Sequence, residues 1–188
     1  MCALECVAWL AGEQHSDSPE CVSPVLRAVV QSFNDVISDD AARSYYLRNL
    51  IPRLINTRAS RLVEGRRIAL LVDFMVRELL PMLLRSQDRM FEAGELAGLR
   101  QIRTHTGIQL AGLAAEQECG NREVAWAAKM AASAADPALW APVASKLIQE
   151  IGTPAAYKAG VTLITNLINV ERMVNRPVSG QKTVPPIW

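Results

Sequence analysis

Apolar residues recur at three- and four-residue intervals along most of this chain, and the densest repeat lies between Arg61 and Arg85. There Ile68, Leu71, Val72, Met75, Leu79, Met82 and Leu83 mark one face of a helix, and Leu70 and Phe74 widen it. A helix apolar over more than half its circumference needs neighbours on several sides, so this segment reads as the central helix of an all-α domain. Arg66, Arg67, Asp73, Arg77 and Glu78 interrupt it too often for a membrane span. Pro81 lacks an N–H and crowds the carbonyl of Arg77, which predicts a bend or break in the last turns.

The remaining elements follow from the same periodicity and from capping residues. Ala3 to Ala11 forms a first helix with Gly12 as its stop, followed by the irregular stretch EQHSDSPECV, Glu13 to Val22. Ser23-Pro24 caps and opens a second helix whose buried face is Leu26, Val29, Val30, Phe33 and Ile37. Ser38-Asp39-Asp40 starts a third, with a core stripe of Leu47, Leu50, Ile51, Leu54 and Ile55 and a kink predicted by Pro52 near Arg48. LIPRLI and LLPMLL echo each other, which suggests HEAT-like helical hairpins within a compact bundle of about eight or nine helices.

Beyond Ser86 the pattern loosens. One helix is expected through Met90, Phe91, Leu96, Leu99 and Ile102, in which Gly94 and Gly98 allow a neighbour to approach closely. Another follows at Ile108, Ala111 and Ala115, and an alanine-rich one over Arg122 to Ala135. Asp136-Pro137 opens a helix with the stripe Trp140, Val143, Ala144, Leu147, Ile148 and Ile151. The last helix, after Gly152-Thr153-Pro154, carries Ala156, Leu163, Ile164, Leu167, Ile168 and Val174, with Gly160 on the same side. Residues 1–175 are therefore expected to form one all-α domain, with 86–90 as an alternative sub-boundary. Residues 176–188, RPVSGQKTVPPIW, are expected to form an extended tail, because three prolines deny them a helix.

Composition adds an expected setting and a charge asymmetry. Half of the 188 residues are hydrophobic and only 5% are aromatic, which suits close helix packing. Met1 to Gly12 lacks the basic start of a signal peptide, so a cytoplasmic protein with reduced cysteines (Cys2, Cys6, Cys21, Cys119) is expected. The net charge of +1 conceals a segment 1–42 at −6 and a segment 43–103 at +6. Arginine outnumbers lysine sixteen to four, which favours bidentate pairing with carboxylate or phosphate, either inside the protein or on a partner.

The segment WLAGEQHSDSPECVSPVL, with Phe33-Asn34-Asp35 and LIPRLINT further on, resembles the start of a group of uncharacterised bacterial helical proteins. The resemblance implies an α-helical fold. It brings no activity and no catalytic residue.

Three candidate sites follow from the residues. His15, Asp17 and Cys21 share one loop, where they would form either a nucleophilic pair with an orienting carboxylate or, with Cys2 and Cys6, a zinc site; the spacing matches no standard zinc pattern. The simpler reading is backbone hydrogen bonding and capping. The turn before the central helix gathers Arg58, Arg61, Arg66 and Arg67, a cluster suited to an acidic protein surface or, alternatively, nucleic acid. Ile187 and Trp188 give the tail an apolar end of the kind that anchors in a groove. No phosphate loop, dinucleotide fingerprint or other cofactor motif is present. Together these features predict a non-enzymatic interaction protein, an adaptor or inhibitor of a larger complex such as a bacterial defence system. The alternatives are an enzyme using the His15, Asp17 and Cys21 loop, a nucleic-acid-binding module using the arginines from Arg43 to Arg67, and self-association.

Overall fold

The computed structural model describes residues 2–119 and 137–174, and these form nine helices with no strand. The order is α1 (Ala3–Ala11), α2 (Pro24–Val36), α3 (Asp40–Leu47), α4 (Ile51–Leu54), α5, α6 (Met90–Gly98), α7 (His105–Cys119), α8 (Pro137–Ile151) and α9 (Pro154–Val174). Helix α5 comprises Arg61–Phe74, a π-helical turn at Met75–Leu79 and a final segment Leu80–Ser86. It packs against α2, α6, α7, α8 and α9, the central position its circumferential apolarity demands.

Capping chemistry sets most boundaries. Gly12 closes α1 at φ 72°, a left-handed conformation that glycine adopts without a Cβ penalty. The Leu26 N–H donates to Ser23 Oγ at 3.3 Å, and the Ala42 N–H to Asp39 at 2.6 Å, so the predicted caps of α2 and α3 are in place. Gly152, at φ 63°, separates α8 from α9.

The two prolines behave differently from simple kinks. At Pro52 the helix breaks: α3 stops at Leu47, a turn occupies residues 48–50, and proline takes an N-terminal place in α4. At Pro81 the helix continues, because the preceding π turn has already reset the hydrogen bonding. The Leu80 N–H donates to the Met75 carbonyl, five residues back. This turn also solves a register problem. The pairs Leu71-Val72, Met75-Val76, Leu79-Leu80 and Leu83-Leu84 are all buried at four-residue spacing, a period that drifts by roughly 40° per step around an α-helix. Widening one turn returns the later pairs to the core. Met75, Val76, Leu79 and Leu80 are wholly buried, each worth roughly 1.5–3 kcal/mol relative to exposure.

One hydrophobic cluster runs from Ala3 to Leu167, and Leu83, Leu84, Ala93 and Leu96 belong to it on either side of the turn near 86–90. Two glycines were expected to admit a neighbour, and neither does: a Cβ on Gly94 or Gly98 would meet nothing within 4 Å. The close approach is at Gly160, where a Cβ would lie 2.6 Å from Phe33 Cε2 and 2.9 Å from Ile148 Cδ1. Helix α6 also ends earlier than its apolar pattern suggests, at Gly98, leaving Leu99 and Ile102 on a connector to α7. The alanine-rich segment Arg122 to Ala135 and the tail with Ile187 and Trp188 lie outside the described residues. Among those described, no helix is long and apolar enough to cross a membrane.

Candidate functional site

The arginines expected to gather before α5 are distributed by the phase of the helix. Arg67 falls four residues after Val63 and four before Leu71, on the buried stripe, and is 0% exposed. It therefore leaves the proposed surface. Its Nε donates to the Leu167 carbonyl of α9 at 3.0 Å, and Nη1 donates to the Thr57 carbonyl at 2.7 Å and to Glu64 Oε1 at 2.8 Å. Glu64 also accepts from Ser23 Oγ at 2.6 Å and from the Ala59 N–H at 3.3 Å, while the Ser23 N–H donates to Thr57 Oγ1. Arg67 is thus the centre of a polar bolt joining the start of α2, the α4–α5 turn, α5 and α9.

Arg58, Arg61 and Arg66 remain exposed. Arg58 is tied to the 13–22 loop: its Nη1 donates to the Glu20 carbonyl at 3.2 Å and its N–H to the Cys21 carbonyl at 2.9 Å. Arg66 faces a groove of about 420 Å³ whose opposite wall is the connector from α6 to α7. That wall supplies Arg103, an exposed arginine outside the expected cluster of Arg58, Arg61, Arg66 and Arg67. Ala69, Leu70, Ile102 and Val170 form the apolar part. On the other side of the connector a second groove of about 430 Å³ includes Arg100, Arg103 and the opening turn of α7. There the Gly107 N–H donates to Thr104 Oγ1 at 3.1 Å. Among the described residues, no acidic side chain lines either groove. Among the described residues, Arg61, Arg66, Arg100 and Arg103 have no carboxylate within ion-pair distance.

The connector is held in place from within. Asp73, 7% exposed on α5, accepts the Ile102 N–H at 2.8 Å and two bonds from Arg77 at 3.2 Å each. Arg103 is oriented by donation from Nε and Nη2 to Gln101 Oε1 at 2.9 and 2.6 Å. Sequence distance hid this pairing: Arg66 and Arg103 are thirty-seven positions apart in the chain. Asp73, an acid inside an apolar run, was the one signal that something had to be held there.

In the 13–22 loop His15, Asp17 and Cys21 each have a different neighbour. His15 Nε2 lies 3.5 Å from Glu5 Oε1 on α1, and its side chain is 71% exposed. Asp17 lines a small cavity of about 160 Å³ with Cys2, Glu5, Asn34 and Asp35. Cys21 faces Glu13 instead. Desolvation, reinforced by that carboxylate, pushes its thiol above the ordinary range, the wrong direction for a nucleophile. Glu13 is held below the usual carboxylate range, first by its bond with the Cys21 side chain and then by the Cys21 and Glu20 N–H groups. Cys2 is the N-cap of α1: its Sγ accepts the Glu5 N–H at 3.4 Å while Glu5 accepts the Cys2 N–H at 2.6 Å. Among the described residues, no group of three His, Cys, Asp or Glu side chains is placed to hold a metal ion.

No protein-family model, curated protein sequence or solved structure matches this chain.

Proposed function

We propose that this chain is a non-enzymatic helical interaction protein that binds an acidic protein surface, as an adaptor or inhibitor of a larger complex. The observation carrying this reading is a group of exposed arginines that, among the described residues, have no carboxylate partner: Arg61 and Arg66 on α5 and Arg100 and Arg103 on the connector. Guanidinium groups presented on rigid elements recognise carboxylates in pairs of parallel hydrogen bonds, and they steer an acidic partner during approach. Leu62, 61% exposed beside Arg61, adds apolar area to the same turn of α5. Among the described residues, no aromatic side chain lines either groove, which favours a protein over stacked bases of a single strand. A bacterial defence complex is one setting in which an inhibitor of this kind would act.

Affinity capture with the full chain, followed by mass spectrometry, identifies the partner. Replacing Arg61, Arg66, Arg100 and Arg103 by Gln should then weaken binding roughly tenfold or more and flatten its salt dependence. Arg67 is left unchanged because its loss would disturb the fold. Unaltered affinity between low and moderate salt would overturn the reading, and capture of nucleic acid alone would replace it with the nucleic-acid alternative.

A further inference from the structure

The groove between α5, α9 and the connector combines features that a generic charged surface lacks. Its volume, about 420 Å³, lies within the range of small-ligand sites, roughly 300–1,000 Å³. Its floor is apolar and fixed: Ala69 is 4% exposed, Ile102 6% and Val170 6%, all three from elements already locked in the fold. The bond from the Ile102 N–H to Asp73 holds the wall in place without any ligand, which reduces the ordering that binding would require. Two cationic side chains, Arg66 and Arg103, line it, and the second is held by two bonds to Gln101. No carboxylate among the described residues neutralises either one.

A ligand complementary to such a lining has an anionic head for the guanidinium groups and a short apolar body for Leu70, Ile102 and Val170. Inorganic phosphate would leave the apolar floor wet, and a neutral hydrocarbon would leave the arginines without a partner. We propose that the groove is a binding site for a small amphiphilic carboxylate, a medium-chain alkyl or aryl acid lying along α5 with its head between Arg66 and Arg103. This site shares Arg66 and Arg103 with the protein-partner surface, but octanoate binding is read directly, so its failure and the failure of the partner reading are distinguishable.

The test uses the full chain and octanoate as probe, with octanol and acetate carrying the apolar and anionic halves alone. Calorimetric titration should show saturable octanoate binding, with octanol and acetate each at least tenfold weaker. Arg66→Gln and Arg103→Gln should each weaken octanoate binding about tenfold or more. Both side chains are exposed, so the helical melting curve should not move. In a methyl-labelled sample, octanoate should shift the resonances of Ile102 and Val170 first. Absence of saturable binding in the low millimolar range would overturn the proposal. So would octanol binding as well as octanoate, shifts confined to other methyl groups, or unchanged affinity in the double variant.

Discussion

Removing the Glu64 carboxylate is the sharpest test of how this fold is held together. The Arg67 guanidinium is wholly buried and donates to one carboxylate, that of Glu64, and to two carbonyls, from Thr57 and Leu167. Glu64→Ala leaves that charge without its counter-ion and also orphans the Ser23 hydroxyl and the Ala59 N–H. Breaking a buried ion pair costs about 3–5 kcal/mol, and the low end applies because the Glu64 side chain is 16% exposed and water can reach part of the gap. Against a typical total of roughly 5–15 kcal/mol, about 3 kcal/mol is a large loss. For a chain of 188 residues it lowers the melting temperature by roughly 6–12 °C. Thermal unfolding followed by far-ultraviolet circular dichroism measures it. The double change Glu64→Gln with Arg67→Met should be milder than Glu64→Ala alone, because it removes the buried charge together with its partner. A shift within about 2 °C for Glu64→Ala would refute the argument, since a buried guanidinium cannot lose its carboxylate at so little cost.

Two further expectations separate similar-looking positions. Gly160→Ala should destabilise by about 1–3 kcal/mol, since its methyl would push into the Phe33 ring and Ile148; Gly94→Ala, with open space around it on α6, should stabilise by about 0.5–1 kcal/mol. Denaturant titration of both variants gives the contrast, and equal effects would contradict the packing at α2 and α9. Acid should loosen the N-terminal loop. Glu13 has a folded pKa below its ordinary value, so its contribution to stability is present above the unfolded pKa and is lost as pH falls through the folded one. Glu13→Gln should therefore flatten the acid limb of the stability curve below about pH 4.5, and an unchanged limb would show that its bonds to the Cys21 and Glu20 N–H groups do not matter.

The central helix was legible because burial over most of its circumference leaves a periodic trace, and the caps at Gly12, Ser23 and Asp39 were legible because each acts within three or four residues of itself. What the helical pattern could not reveal was the π turn, although the spacing held a clue. Buried pairs repeating every fourth residue from Leu71 to Leu84 do not stay aligned on an ideal α-helix, and Pro81 sits directly after the place where the alignment is restored. The two proline echoes were therefore alike in sequence but different in consequence. Pro52 follows a polar Arg48-Asn49 turn free to open to solvent, whereas Pro81 follows residues buried too deeply to leave the core.

Arginine gives the least local information of any residue in this chain. Arg66 and Arg67 are neighbours with the same chemistry, yet one lines a groove and the other is a buried bolt, because a step of one residue turns the helix by roughly 100°. Reading Val63, Arg67 and Leu71 as one four-residue stripe would have placed Arg67 inside, and Glu64 three residues earlier supplies the partner such a position requires. Arg103 offered no such route. Its place beside Arg66 depends on Asp73 drawing the Ile102 N–H onto α5, a tertiary bond with no periodic signature. The grooves, and with them any function they serve, follow from that one buried carboxylate more than from the density of arginine along the chain.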